Sequence, residues 1–108
     1  MKETYSCAIT GLGRIASLLE DDRLREKPAT HAGAISRNRR CRLVAGCDIS
    51  EERRALFAAR WKCRCVFEDQ SRMLQAVRPD ILCVATPPHS HRELVLDAVR
   101  AGVSLVIC

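Results

Sequence analysis

The chain has 108 residues, 47% of them apolar and 29% charged, and a formal net charge of +5. That is one domain's worth of sequence with enough apolar content for a modest core, and its mixed composition excludes a disordered chain. It also excludes a membrane-embedded one, because no apolar run nears the roughly 20 residues that a bilayer span needs.

The N-terminal Met1-Lys2-Glu3-Thr4 leads into an apolar run too short and too mixed for a secretion signal, so a cytoplasmic protein with no membrane partner is expected. The first strand is predicted over 5–10, ending at glycine. Gly13 to Leu19 reads as the start of a helix. It is followed by a charged stretch, Glu20 to Pro28, that ends in a helix breaker; helical character resumes near Thr30 to Ile35. A charged insertion near 20–29 therefore interrupts the first helix; its two readings are a cover over the cofactor pyrophosphate and a solvated loop, the commoner case for a charged run.

A second strand is predicted over 42–48. A helix follows from the serine cap Ser50, with acidic residues in its first turn, to about Trp61. A short strand at 65–67 and a helix over 70–77, closed by Arg78-Pro79, come next. The fourth strand is placed at 80–85, a helix at 89–101 stopped by Gly102, and a fifth strand at 104–108. Strands 1, 2, 4 and 5 are nearly continuous apolar runs, the pattern of parallel strands covered on both faces. Strands alternating with helices specify an α/β domain of about five strands in three α/β/α layers.

The seven cysteines are odd in number and irregularly spaced, which argues against a disulfide framework. Cys63-x-Cys65 has no second pair at zinc-ligand spacing, so no metal site is expected there. Arginine supplies most of the positive charge. Apart from Arg37, Arg39, Arg40 and Arg42 it is scattered, and the aromatics Tyr5, Phe57, Trp61 and Phe67 do not interleave with that cluster. A solvated basic surface is expected rather than a nucleic-acid partner.

Three runs carry chemistry. In Gly11-Leu12-Gly13-Arg14-Ile15-Ala16 the first glycine permits a tight turn after a strand. The second lets a pyrophosphate approach the backbone, and the small third position lets helix and strand pack closely. The helix start then offers free N–H groups to phosphates. This is the phosphate-binding turn of a Rossmann-type, doubly wound parallel sheet. Asp48 ends the second strand, where a carboxylate can accept hydrogen bonds from the adenosine ribose or can simply cap a turn. It follows Gly13 by 35 residues rather than about 20, and removing about 14 residues between Ala16 and Thr30 restores the spacing. A carboxylate there favours NAD over NADP, with Arg53 and Arg54 as nearby groups able to accommodate a 2′-phosphate. The third run, Ala85-Thr86-Pro87-Pro88-His89-Ser90-His91, lies beyond the fourth strand, where ligands of doubly wound sheets bind. His89 and His91 diverge at a helix start and lack a third ligand, so no metal is expected. His31 reads as a packing residue.

The sequence resembles the Gfo/Idh/MocA oxidoreductases over essentially its whole length. The likeness rests on the Gly11–Ala16 run, on Leu43 to Asp48, and on Asp80 to Pro88 with His91. It implies that Gly11, Gly13, Arg14 and Ile15 lie along the dinucleotide, that Asp48 contacts the adenosine ribose, and that Thr86, Pro87 and His91 sit near the nicotinamide. In the family the fifth strand runs into a Glu-Lys-Pro motif whose lysine takes part in catalysis, followed by a mostly β substrate domain. This sequence stops at Cys108, where the motif should begin. The expectation is a cofactor-binding domain spanning 1–108, without a catalytic residue of its own. The intact oxidoreductase would act on the CH–OH group of a sugar- or cyclitol-like substrate. The alternatives are a non-catalytic nucleotide-sensing or protein-interaction module of the same fold, or a fragment with no independent role.

Overall fold

A computed structural model describes residues 3–108. Five strands, β1 (Tyr5–Thr10), β2 (Cys41–Cys47), β3 (Val66–Phe67), β4 (Ile81–Val84) and β5 (Leu105–Ile107), form one sheet in the order β3-β2-β1-β4-β5. All four pairings are parallel. The chain winds outward from β1 to β3, returns to β4 on the other side of β1, and winds outward again. The reversal leaves a crevice beyond the carboxyl ends of β1 and β4, where such sheets bind ligands.

Four helices cover the two faces: α1 (His31–Arg37), α2 (Glu51–Trp61), α3 (Gln70–Val77) and α4 (His91–Arg100). Alternation along β1 sorts the core. Cys7 and Ile9 pack with Leu12, Ala16, Ala32, Ile35 and Phe57 on the α1/α2 face. Ala8 points the other way, to Met73, Leu74 and Ala98 on the α3/α4 face. This is the expected α/β/α arrangement. Helix entries are capped by side chains: the Thr30, Ser50 and Asp69 oxygens accept from the N–H of Gly33, Arg53 and Arg72 at 3.0, 3.2 and 2.9 Å. Gly102, at a φ of 86°, follows α4 in the left-handed conformation predicted for it.

Two helical expectations need correction. The final helix begins at His91, because Pro88–Ser90 form a 3-10 turn before it. More consequentially, no α-helix starts at Gly13. Residues 13–19 make a single turn, with Ser17 N–H and Leu18 N–H both reaching the Gly13 carbonyl at 3.1 Å, and Leu18–Asp21 then tighten into a 3-10 turn. The first helix resumes at His31. There His31 N–H donates to the Ile15 carbonyl at 3.1 Å and Ala32 N–H to the Ala16 carbonyl at 2.9 Å. In an uninterrupted helix those carbonyls accept from residues four further on, so His31 and Ala32 occupy the places of residues 19 and 20. Residues 19–30 are looped out of a helix whose two pieces stay bonded across the seam.

The looped-out segment is largely exposed, as a solvated loop would be, but a buried charge organises it. Glu20 is 5% exposed. Its Oε1 accepts from Ala29 N–H (3.0 Å), Thr30 N–H (3.0 Å) and the Thr30 hydroxyl (2.8 Å). Burial alone would raise the Glu20 pKa, but these donors outweigh it and hold the carboxyl below its ordinary value of 4.5. A Cβ on Gly33 would lie 2.0 Å from the same oxygen, so only glycine leaves room for the carboxylate. The segment and the turn that leads into it also clasp α2. Trp61 Nε1–H donates to the Ser17 hydroxyl at 2.7 Å, and Arg60, stacked 4.3 Å over the Trp61 ring, meets both Asp21 oxygens at 3.0–3.1 Å.

The cysteines divide by burial. Cys7, Cys47, Cys63 and Cys83 are buried, Cys41 is half-buried, and Cys65 and Cys108 are exposed. Burial pushes the Cys7 thiol up to about 12 and those of Cys47 and Cys83 to about 11. The thiolate is the reactive form. At pH 8 an aromatic disulfide reagent is therefore expected to modify Cys65 and Cys108 rapidly and the four buried thiols only in denaturant. Loss of the rapid phase in the Cys65→Ser, Cys108→Ser double variant checks the assignment.

Candidate functional site

The turn after β1 and the turn after β4 press together at Gly11. Gly11 N–H donates to the Cys47 carbonyl at 2.8 Å, and its φ of 89° lies in the left-handed region. A Cβ there would stand 2.8 Å from Thr86 Cγ2 and 3.0 Å from the backbone of Ala85 and Thr86. Gly11 is thus required by the protein's own packing. Gly13 is not: a Cβ there would meet only the Arg53 guanidinium, at 3.4 Å. The open face over Gly13 suits the close approach of a phosphate group. The N–H groups of Gly13, Arg14 and Ile15 have no hydrogen-bond partner among the described residues. Three successive unpartnered donors beside an open glycine are the raw material of an anion cradle.

Asp48 joins this turn to β2. Its Oδ2 accepts from Leu12 N–H at 2.8 Å and its Oδ1 from Ser50 N–H at 2.8 Å, and the residue is 9% exposed. The turn-cap role and the ribose-binding role are compatible, because each carboxylate oxygen keeps a lone pair after one hydrogen bond. Two guanidiniums flank it. Arg53 Nη1 lies 4.0 Å from Oδ2, and Arg54 Nη1 donates to the Asp48 and Ile49 carbonyls at 2.7 and 3.2 Å.

On the β4 side, Ala85 N–H donates to the Thr10 carbonyl at 2.8 Å, which extends the sheet into the loop. His91 Nε2 lies 2.6 Å from the Thr86 carbonyl. A carbonyl only accepts, so Nε2 carries the proton. The Ser90 hydroxyl sits 2.6 Å from Thr86 Oγ1 and 2.8 Å from the Pro87 carbonyl. His91 and Ser90 therefore lock the Thr86-Pro87 turn from within.

These elements enclose a cleft of about 520 Å³. Of the residues singled out in the sequence, Gly11, Gly13, Asp48, Arg53, Thr86, Pro87 and His89 line it. Arg14 and Ile15 are exposed on the turn beside it, and His91 stands behind it as a brace. His31, first residue of α1, is half-buried outside the cleft, and burial pushes its pKa below 6.5. His89 lines the cleft while His91 is tied to Thr86. Among the described residues no group of three or more His, Cys, Asp or Glu could hold a metal, and no helix is long and apolar enough to cross a membrane.

Sequence reasoning missed Gln70. Buried at the start of α3, its side chain accepts from the Thr10 hydroxyl at 2.7 Å and donates to the Leu94 carbonyl at 2.8 Å, joining β1, α3 and α4 at the cleft. No local spacing announces a contact between residues 60 apart. Ile49 was also missed. It is 86% exposed yet lines the cleft next to Asp48, and an apolar residue directly after the strand-ending acid was the available signal.

The family described as an oxidoreductase family with an NAD-binding Rossmann fold matches residues 5–108. D-glucoside 3-dehydrogenase of Escherichia coli (strain K12) is 30% identical over 95 residues, which is 88% of this chain and 24% of that protein. The WlbA dehydrogenase of Bordetella pertussis, solved in complex with NADH and UDP-GlcNAcA, superposes with a TM-score of 0.79 at 27% identity, over 97% of this chain and 27% of that one. Scyllo-inositol dehydrogenase of Lactobacillus casei, solved with NAD(H) and scyllo-inositol, shares the fold with a TM-score of 0.77 at 22% identity, over 94% of this chain and 27% of that one. The chain spans about a quarter of the length of these relatives. With the Gly11–Ala16 turn, Asp48 and the Thr86-Pro87 loop meeting at one cleft, the chain belongs to the Gfo/Idh/MocA oxidoreductases, as their NAD-binding Rossmann domain.

Proposed function

We propose that the cleft holds NAD with its pyrophosphate over Gly11, Gly13, Arg14 and Ile15, its adenosine ribose on Asp48, and its nicotinamide beside Thr86 and Pro87. The observation that carries this reading is the run of unpartnered N–H groups at Gly13, Arg14 and Ile15, beginning at an open glycine, next to a carboxylate with lone pairs to spare. His91 acts through the Thr86 carbonyl to fix the loop. When bound, the cofactor supplies the hydride acceptor. The chain's own residues bind it and orient it.

The domain spans 1–108 and acts within an oxidoreductase that works on a CH–OH group of a sugar- or cyclitol-like substrate. The relatives' names carry that reading: a glucoside dehydrogenase and an inositol dehydrogenase. No residue of this chain serves as the catalytic base. The 108-residue chain alone binds cofactor without turning over substrate.

Fluorescence titration of the chain with NADH tests the site. Saturable binding is expected, and Asp48→Asn is expected to weaken it by about tenfold, the ~1.4 kcal/mol of one lost charge-assisted hydrogen bond. A folded wild-type chain that shows no saturation at millimolar NADH overturns the reading.

A further inference from the structure

A buried polar relay runs along the wall of the cleft. The Cys47 thiol, at the end of β2, donates to Thr10 Oγ1 at 3.4 Å. The Thr10 hydroxyl, at the end of β1, donates to Gln70 Oε1 at 2.7 Å, and Gln70 Nε2 donates to the Leu94 carbonyl at 2.8 Å. Cys47, Thr10 and Gln70 are buried, and all four residues line the cleft. Burying an amide is costly unless its polar ends are met. Here both are met, and among the described residues no buried side-chain nitrogen or oxygen lacks a partner. A polar network satisfied in this way rigidifies what it joins.

The relay ends on the helix that braces the Thr86-Pro87 loop. The near end of that loop is set by the sheet, through the Ala85 N–H on the Thr10 carbonyl at 2.8 Å. The far end is set by α4, through Ser90 and His91, each 2.6 Å from a Thr86 oxygen. Leu94 lies in the first turn of the same helix. We propose that Gln70 is a positioning residue for the nicotinamide half of the dinucleotide: it holds the first turn of α4, and with it the Thr86-Pro87 loop, at a set distance from the glycine turn. The proposal rests on the dinucleotide reading of the cleft. A dinucleotide spans both turns, so its fit depends on their spacing. A ligand that lacks nicotinamide engages only the glycine turn and Asp48. Without the relay, Leu94, Val95 and Ala98 still pack α4 onto the core, but its first turn is no longer pinned. The arriving nicotinamide must then order the loop, and that preorganisation is lost from the affinity.

The test is calorimetric titration of the 108-residue chain with NADH and, separately, with ADP-ribose, with circular dichroism to confirm the fold. Gln70→Met keeps the side-chain volume and removes both hydrogen bonds. It is expected to weaken NADH by about fivefold, the ~1 kcal/mol of one net hydrogen bond, and ADP-ribose by less than about twofold. Thr10→Val cuts the relay at its other end and should give the same split. The double variant should lose no more than either single one, because all three break one link. Equal losses for NADH and ADP-ribose, or no loss for either, overturn the proposal, since a merely structural role does not separate the two ligands. Additive losses overturn it as well, because they make Thr10 an independent contact. If Gln70→Met does not fold, the split in Thr10→Val decides alone. Wild-type affinity for ADP-ribose equal to that for NADH overturns the nicotinamide placement and the proposal, and leaves the adenosine placement standing. Failure of the folded wild type to bind either ligand overturns the dinucleotide reading, and the proposal with it.

Discussion

Replacing Gly11 with alanine is expected to abolish saturable NADH binding and to lower the midpoint of thermal unfolding by about 12 °C or more. Two costs combine. A non-glycine residue at a φ of 89° is strained, by about 1–2 kcal/mol. The added Cβ would also stand 3.0 Å from the Ala85 and Thr86 backbone, and backbone cannot swing aside as a side-chain tip can. A total near 3 kcal/mol follows, and each kcal/mol moves the midpoint of a domain this size by about 4–8 °C. The turns after β1 and β4 must then separate, which opens the cleft at its centre. Gly13→Ala supplies the contrast. Its Cβ meets only the Arg53 tip, so stability should hold within about 0.5 kcal/mol while NADH binding weakens. Equal stability losses in the two variants would refute this division of labour.

Glu20→Ala is expected to destabilise the domain by about 3 kcal/mol, because it strips the acceptor from the buried Thr30 N–H and hydroxyl and from the half-buried Ala29 N–H. Glu20→Gln keeps an acceptor at Oε1 and should cost about 1 kcal/mol. Gly33→Ala should resemble the alanine variant, since its Cβ evicts the carboxylate. Chemical denaturation measures all three. The wild type also carries a pH signature. Its folded pKa lies below the ordinary 4.5, so the ionised group contributes fully above about pH 4.5 and loses its contribution as pH falls through the folded pKa. The stability gap between wild type and Glu20→Gln should therefore narrow with acidification. A gap that stays constant from pH 7 to pH 3 contradicts the role given to the charge.

The sheet and the glycine turn were legible because both rest on local patterns. Apolar runs such as Asp80 to Ala85 mark doubly covered strands, and Gly11 and Gly13 flag a turn that side chains would block. The helix start at the Ser50 cap could be read as well, whereas the Thr30 and Asp69 caps were not. The break in the first helix was visible as charge around Pro28, but its internal order was not. Glu20 looks like any surface acid in sequence, and only its pairing with Thr30 across ten residues turns it into a buried pin. The same limit hid Gln70, whose partners Thr10 and Leu94 lie on other elements. Asp48 was legible as two competing roles, and tertiary structure merged them by setting Leu12 N–H on one oxygen and Ser50 N–H on the other.

The hydrogen bonds that bridge Ala16 and Ile15 to Ala32 and His31 carry a consequence for engineering and for comparison. They make the first helix a splint joint: its two ends stay bonded to each other, so chain added beyond the Glu20 and Asp21 contacts costs little, each doubling of such a loop adding only about 0.6 kcal/mol of closure cost. A fluorophore or peptide tag grafted at the exposed tip around Leu24, which is 95% exposed, would ride a few residues from the phosphate-binding turn without entering the core, and could report cofactor arrival from just outside the cleft.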